Sequence, residues 1–374
     1  MSAQLPAHLP VGERAAEAAA KTGLLREALA QLGAGAIRLR GADWLAWATA
    51  GADTALLSTS DGGAAELLVT ATEACVLTDT AEAEHLRAEQ LPDGFSYHIA
   101  PWAETELHET YVLGAAGGGA VLSDRPCRDE QPLPSTLRLR RMVLVEAEQQ
   151  RFRALGRDAA AAVGEALRAA RPHWTEYELA AAAAQALLKR GIQPALVLAA
   201  GERRLPLFRH PLPTHAPLGG RALLAVRARR HGLVASLTRC RSFGALPDEL
   251  RSVHHALLQA EATGLDAVRP GQSLAAVYHA LDAAYRHANR PEAIGAHHQG
   301  GIAGYAAREL LATPSTATGL ETGMAFAFNP GFDGLQLEDT FLLGPAGLDN
   351  LTLDPAWPAA TTNGRARPLW LEEA

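Results

Sequence analysis

The sequence predicts an α+β protein in which a smaller α/β domain precedes two similar α+β halves. The halves are indicated by a degenerate repeat: Leu167–Gly191 aligns with Leu265–Asn289 at a constant offset of 98 residues. Over about the first 145 residues, short β-rich runs separated by Gly, Asp and Pro indicate the amino-terminal domain. The repeat is too long for one unit of a solenoid. We therefore expect a pseudo-twofold pair of halves, with one curved sheet, helices outside and a cleft between them.

Each copy of the repeat predicts a helix, an Arg-Pro break and a second helix. Arg171-Pro172 aligns with Arg269-Pro270, and Thr175 aligns with Ser273. Thr and Ser favour the position before a helix because their hydroxyls accept hydrogen bonds from the first turn. Glu178 completes a capping box with Thr175. An apolar run typical of a strand follows at Ala195–Ala200, Ala222–Val226, Met324–Phe328 and Phe341–Leu343.

The amino-terminal domain is predicted to span residues 1–145, and the second domain residues 146–374. A helix is expected over Gly12–Leu32, and the Pro-rich segment Pro126–Pro134 is interpreted as the linker. Short strands are expected at Ala36–Arg40, Thr54–Ser58, Glu66–Thr70, Ala74–Leu77 and Tyr97–Ala100.

Composition excludes several classes of protein. The 374 residues are 48% hydrophobic, which is typical of folded domains with real cores. A formal charge of −7 argues against binding nucleic acid, because phosphate contacts need an excess of basic side chains. The three cysteines, Cys75, Cys127 and Cys240, are too far apart for a disulfide framework or a structural zinc site. We see no signal peptide and no membrane-spanning run, and we expect a cytoplasmic protein without a membrane partner.

Several motifs follow one another in a fixed order along the chain. Ala222–Arg239 (ALLAVRARRHGLVASLTR) combines a strand, a turn and Thr-Arg, and His297–Tyr305 (HHQGGIAGY) is a His- and Gly-rich loop. Both resemble segments of the creatinase, Xaa-Pro aminopeptidase and prolidase family. Gly323–Gly331 (GMAFAFNPG) and Leu337–Leu343 (LEDTFLL) resemble its last two site strands, and Trp44–Gly51 resembles a turn of its amino domain. The resemblance implies a pita-bread domain behind a creatinase-like amino-terminal domain, and a homodimer.

The resemblance also implies a dinuclear metal site in the peptidases, held by two Asp, one His and two Glu. The matching positions in this sequence are Ala225, Ser236, Gly301, Asn329 and Glu338. Glu338 alone keeps the family residue, and one carboxylate cannot offset the charge of two divalent ions. We therefore expect a degenerate site with no metal ligands and no cofactor.

The expected catalytic residues are His210 and Glu338. His210 matches the proton-transferring histidine of creatinase, a metal-free member of the fold, and imidazole titrates near neutral pH. Pro211 and Pro213 stiffen its loop. The alternative is that His210 only forms hydrogen bonds within the loop. Without a metal, Glu338 is expected to bind a cationic group of the substrate or to orient His210.

The expected substrate-binding residues are Arg209, His297, His298, Arg308 and Asn329. Adjacent side chains on an extended segment point to opposite sides, so at most one of His297 and His298 is expected to face the cleft. The alternative for this pair is a tight turn beside buried histidines. Arg308 is expected to bind a carboxylate of the substrate or, alternatively, to pair with Glu338. The amide of Asn329 can both donate and accept hydrogen bonds.

Three functions are compatible with these residues. The first is a metal-independent hydrolase that cleaves a C–N bond in a small amide, guanidino or proline-containing compound. The second is a catalytically inactive member of the family that binds a peptide, a small ligand or a partner protein in the same cleft. The third is a residual Xaa-Pro aminopeptidase or dipeptidase whose metal is held by rearranged ligands.

Overall fold

A computed structural model describes residues 11–56, 62–332 and 334–373. The chain divides into two units, Met1–Arg141 with Arg230–Leu233, and Met142–Arg229 with Val234–Ala374. Both units combine helices with sheets, and the α+β class is confirmed. In the described residues, no helix is both long and apolar enough to cross a membrane.

The first unit is built on a six-stranded mixed sheet. Its elements are α1 (Val11–Leu32), β1 (Ala36–Gly41), α2 (Ala42–Ala48), β2 (Gly62–Val69), β3 (Ala74–Asp79), α3 (Ala83–His85), a π-helical turn (Leu86–Gln90), β4 (Ser96–Ala100), α4 (Glu106–Ala116), β5 (Val121–Ser123), β6 (Gln131–Pro132) and α5, which ends one residue beyond the unit (Ser135–Met142). The strands follow the order β4-β3-β2-β1-β5-β6. The antiparallel pairs β1–β2 and β2–β3 form its centre.

Two expectations for this unit are corrected. The strand expected over Thr54–Ser58 is wrong at Thr54 and Ala55, which are irregular, while residues 57 and 58 lie outside the described residues. The side chain of Asp53 accepts a hydrogen bond from the Ala55 amide at 3.3 Å, and such a turn competes with a strand. The segment interpreted as a linker contains β6, which pairs in parallel with β5.

The second unit contains two helix pairs and two larger sheets. Its helices are α6 (Glu146–Ala169), α7 (Glu176–Leu188), α8 (Asp248–Asp266), α9 (Leu274–His287) and α10 (Ala293–Ala296). Its strands are β7 (Gln193–Gly201), β8 (Arg221–Arg230), β9 (Leu233–Ser242), β10 (Gly300–Ala303), β11 (Leu310–Leu311), β12 (Ala325–Phe328), β13 (Gly331–Phe332), β14 (Leu335–Gln336), β15 (Asp339–Gly344), β16 (Gly347–Asn350), β17 (Ala359–Thr362), β18 (Arg365–Pro368) and β19 (Leu371–Glu372). The larger sheets have the orders β19-β9-β8-β7 and β11-β10-β12-β15-β16.

The repeat folds as two equivalent helix pairs, α6 with α7 and α8 with α9. The hydroxyl of Thr175 accepts a hydrogen bond from the Glu178 amide at 3.2 Å, and the Glu178 carboxylate accepts one from the Thr175 amide at 2.6 Å. Ser273 caps α9 in the same way, through the Ala276 amide at 3.2 Å. The second helices of both copies therefore begin where the sequence predicts.

The two larger sheets join between β9 and β15. The Thr238 amide donates to the Glu338 carbonyl at 3.0 Å. The hydroxyl of Thr340 accepts from the Ser236 amide at 2.8 Å and donates to the Ser236 carbonyl at 2.9 Å. In place of the expected single sheet, a four-stranded and a five-stranded sheet are thus joined at this seam by an isolated bridge.

A fully buried ion network lies beside the seam. Arg367 on β18 makes two hydrogen bonds of 2.6 Å to Glu261 on α8 and lies 2.8 Å from Asp339 on β15. Arg239 on β9 donates to Asp339 at 2.8 Å, and so does Thr352 at 2.6 Å. Burial raises the pKa of Asp339, but the two guanidinium groups outweigh burial and hold that pKa below its ordinary value. Strands of both halves therefore share one buried carboxylate.

Replacing Arg367 by Met is expected to lower the free energy of unfolding by about 3–5 kcal/mol, because it leaves buried carboxylates without their partner. The matched control is Arg365→Met on the same strand, whose partner Asp266 also lies on α8 but is partly exposed, as is Arg365. The control should cost less than about 1 kcal/mol. Urea unfolding measures both, and equal losses would contradict the role assigned to the buried network.

Candidate functional site

The loop that carries Arg209 and His210 is fastened at its base by Glu176. This glutamate has no exposed surface and lies in the first turn of α7. Its carboxylate accepts from the Gly201 amide at 2.9 Å and from the amide and hydroxyl of Thr214 at 3.0 and 2.7 Å. It also pairs with Arg204, which donates to a carbonyl within the loop. The loop between Gly201 and Thr214 is therefore closed at both ends by one buried side chain.

His210 meets His297 across the site. Their Nε2 atoms are 3.2 Å apart, so one of the two carries the shared hydrogen. The rings of His297 and His298 are also close, with centroids 4.1 Å apart. His297 lines the cavity beside Arg209, and the expectation that at most one of these two histidines faces the cleft stays a prediction. It cannot rest on regular strand alternation, because β10 begins only at Gly300, whose φ of 106° is left-handed.

All three imidazoles are held in the neutral form at pH 7. Burial, followed by the charge of Arg209, lowers the pKa of His297 to about 3. Burial and the charge of Arg308 lower the pKa of His298 to about 4. Burial and nearby arginines also lower the pKa of His210, while Glu338 acts in the opposite direction. Glu338 thus favours protonation of His210.

Glu338 is almost fully buried, and both of its carboxylate oxygens have partners. Oε1 accepts from Arg308 Nη2 at 2.9 Å, and Oε2 accepts from the Thr238 hydroxyl at 3.2 Å. Of the two alternatives for Arg308, the structure shows the pair with Glu338. Burial lowers the pKa of Arg308, and the carboxylate of Glu338 opposes that effect.

Arg209 and Asn329 contact each other through the backbone. Arg209 Nη2 donates to the carbonyl of Asn329, and burial lowers the pKa of Arg209. The side chain of Asn329 is 7% exposed, and its Oδ1 atom has no hydrogen-bond partner in the described part of the chain. Such a buried polar atom is costly unless a ligand or water satisfies it.

Each histidine of the His210–His297 pair lines a cavity. The larger, of about 200 Å³, has Arg209 and His297 in its wall, and its remaining wall is largely apolar. The smaller, of about 20 Å³, is lined by His210, Arg227, Asn329 and Glu338, among others. The structure thus brings the predicted residues together: five line the cavities, Arg308 is bonded to Glu338, and the ring of His298 lies beside that of His297 at a tilt of 34°.

Three residues of this region were not predicted from the sequence. Arg227 lies two residues after Ala225 on β8, and strand alternation places both on one face, so this signal was available. The hydroxyl of Tyr285 donates to Gln299 at 2.5 Å and accepts from the Gly331 amide at 3.1 Å, which ties the histidine loop to β13. No local sequence pattern predicts the role of Glu176, because the residues that it binds are 25 to 38 positions away along the chain.

Four of the five positions that resemble metal ligands carry neither a carboxylate nor an imidazole. Within the described ranges, no group of three or more His, Cys, Asp or Glu side chains is arranged to hold a metal ion. Ala225 and Gly301 carry no ligating atom, and Ser236 is fully buried in β9. Arg308 and Thr238 bind the two carboxylate oxygens of Glu338.

The family model of metallopeptidase family M24 matches residues 150–345, and the chain belongs to this family. A comparison with curated protein sequences gave no match. The prolidase from Pyrococcus horikoshii OT3 is similar in structure, with a TM-score of 0.77 and 17% identity over 90% of this chain and 98% of that one. The dipeptidase PepE from Mycobacterium ulcerans has a TM-score of 0.75 and 20% identity over 93% of this chain and 98% of that one.

A third similar structure is the N-terminal domain of the FACT complex subunit SPT16 from Cicer arietinum, with a TM-score of 0.68 and 13% identity over 90% of this chain and 96% of that one. At these identities the similarities show the fold alone. The family and the pita-bread fold expected from the sequence motifs are confirmed.

The stability of the fold is expected to depend on the neutral state of His297 and His298. Below pH 6.5 the unfolded chain takes up a proton on each imidazole, but the folded chain does not until the pH falls to the pKa of about 3 for His297 and about 4 for His298. Unfolding free energy should therefore fall as pH is lowered from 7 to 4.5. The double substitution of His297 and His298 by Asn should make this dependence shallower in urea titrations.

The control for this prediction is His287→Asn, at an exposed site at the end of α9. It should leave the pH dependence as in the parent protein. An equally steep dependence in the double variant would show that the two imidazoles do not set it.

Proposed function

We propose that the protein is a metal-independent hydrolase that cleaves a C–N bond in a small amide, guanidino or proline-containing compound. The observation that carries this proposal is the neutral pair of His210 and His297, with Nε2 atoms 3.2 Å apart beside both cavities. A neutral imidazole can take a proton from water and return it within one cycle. The resemblance of His210 to the proton-transferring histidine of creatinase supports the same role.

The absence of a dinuclear centre is part of this proposal. Of the five positions that resemble metal ligands, Glu338 alone carries a carboxylate, and Arg308 and Thr238 bind its oxygens. Asn329 and Ser236 offer only neutral groups. Two divalent ions need several anionic oxygen ligands to offset their charge, so this donor set does not fit them. No step of the proposed reaction uses a metal.

The proposed reaction proceeds by general acid and base catalysis. His210 removes a proton from a water molecule while the water oxygen bonds to the carbon of the C–N group. The negative charge that develops on the substrate faces a cleft with several guanidinium groups, which stabilise it. As the C–N bond breaks, His210 returns the proton to the leaving nitrogen. Arg209, Asn329 and the loop at His297 and His298 are proposed to bind the substrate.

A second candidate is a member that binds a ligand or partner without catalysis. It is favoured by the state of Glu338, since a carboxylate held by Arg308 and Thr238 is not free to activate water or to bind a cation. The similar fold of the SPT16 domain, a subunit of a complex, agrees with a binding role. The third alternative, a peptidase with rearranged metal ligands, lacks a suitable cluster of side chains in the described ranges.

The proposal also includes a homodimer, a cytoplasmic location and a creatinase-like amino-terminal domain over residues 1–145. The similar prolidase and dipeptidase structures support the last point, because each aligns with about nine-tenths of this chain. Light scattering of the purified protein would measure the mass, and a monomer would contradict the proposed dimer.

Protein purified without chelators is expected to contain less than about 0.2 equivalents of Mn, Zn, Fe or Co, because its donors cannot offset the charge of a metal pair. Elemental analysis by mass spectrometry measures this content. Thermal unfolding should be the same with and without EDTA. Stoichiometric metal that stabilises the protein would reject the proposal.

His210→Ala is expected to reduce turnover at least about 100-fold, because it removes the proposed acid and base. Turnover is first sought in a screen of dipeptides, tripeptides and guanidino compounds. His287→Ala serves as the control, and both variants should unfold at the temperature of the parent protein. Unchanged turnover in His210→Ala would reject His210 as the catalytic group, and a screen without any turnover would favour the binding candidate.

A further inference from the structure

The cleft holds more positive charge than its carboxylates compensate. Arg308 is paired with Glu338 at 2.9 Å. Arg209 donates only to a backbone carbonyl, and its Nε atom is buried without a partner. Within the ranges that the structure describes, neither Arg209 nor Arg227 lies within 4 Å of a carboxylate oxygen. Two guanidinium groups beside His210 therefore lack a counter-charge.

The unpaired positive charge in the cleft destabilises the folded protein while no ligand is bound. Burial of a guanidinium group without an anionic partner is unfavourable, and Arg209 is largely removed from solvent. The charge of Arg227 lowers the pKa of His210, His298 and Arg308, because it disfavours a second positive charge nearby. A ligand that carries negative charge at this place would be attracted by both arginines.

A second observation indicates the form of the ligand. The cavity of about 200 Å³ beside Arg209 is walled mainly by apolar side chains: Leu205, Pro206, Phe208, Pro211, Leu223 and Phe332. The small cavity beside Arg227 is lined by Asn329, which is more than nine-tenths buried and whose amide NH2 group can donate a hydrogen bond to an anion. An apolar body fits the first cavity, and the guanidinium and amide donors beside the second suit a charged oxygen.

We propose that the cleft binds a small apolar oxyanion, with its charged group between Arg209 and Arg227 and its apolar body in the larger cavity. A carboxylate and a phosphate monoester share this chemistry, and both match the planar fork of donors on a guanidinium group. The anion then lies in the region where the resemblance places metal cations. This inference rests on the proposed function for the location of the ligand, but it does not require turnover.

The test compares three probes of similar shape: phenylacetate, phenyl phosphate and the uncharged phenylacetamide. Isothermal titration calorimetry with the full chain should detect at least one of the two anions, and phenylacetamide should bind at least about tenfold more weakly. Arg227→Gln should weaken the anion at least about tenfold, since it removes a charge-assisted hydrogen bond. Inorganic phosphate alone should bind more weakly than phenyl phosphate, because it leaves the apolar cavity unfilled.

The matched control is Arg221→Gln on the same strand, whose side chain pairs with Glu202 outside both cavities. It should leave the affinity unchanged. Equal binding of phenylacetate and phenylacetamide, or unchanged affinity in Arg227→Gln, would overturn the inference. Tighter binding of phenyl phosphate than of phenylacetate would identify the ligand as a phosphate ester, and the reverse would identify it as a carboxylate.

The outcomes also separate this inference from the proposed hydrolase. Binding of the anions without turnover of any compound would support the anion site and reject the hydrolase. Turnover of uncharged compounds that depends on His210 but not on Arg227 would reject the anion site and support the hydrolase.

Discussion

The buried carboxylate of Asp339 is the interaction on which the rest of the second unit depends. Arg239, Arg367 and Thr352 all bind it, and through them β9, β15, β18 and α8 are held around one point. The cost of burying these charges is offset only while every partner is present. Because Glu338 is the next residue, the network also sets where the site carboxylate lies. The charges bound to Asp339 therefore stabilise the sheets and also position the carboxylate of Glu338.

The electrostatic character of the cleft is opposite to that of a site for two cations. Four of the five positions that resemble metal ligands carry Ala, Ser, Gly and Asn, and arginine side chains occupy the surrounding region. Neutral imidazoles are compatible with this environment, because nearby guanidinium groups disfavour their protonated form. The proposed acid and base chemistry of His210 and the proposed attraction of an anion both use this arrangement, and neither proposal involves a metal.

Local sequence signals predicted the elements of the fold well. The hydroxyls of Thr175 and Ser273 begin their helices as expected, because a capping bond depends on residues three positions apart. Strand alternation does not predict the directions of the His297 and His298 side chains, since this rule holds only in a regular strand and the chain turns at Gly300. The network of Asp339 could not be predicted, because its partners are separated by up to about a hundred residues and periodicity carries no information on such contacts.

The sequence by itself determined the family, the paired halves and the residues available to the cleft, because motifs and caps are local properties of the chain. The tertiary structure decided which of those residues meet. It paired Arg308 with Glu338, brought His210 against His297 and left Arg209 and Arg227 without a carboxylate in the described part of the chain. These outcomes depend on contacts between residues 30 to 87 positions apart along the chain. They also depend on burial, because a charge without a partner costs more free energy in a medium of low dielectric constant.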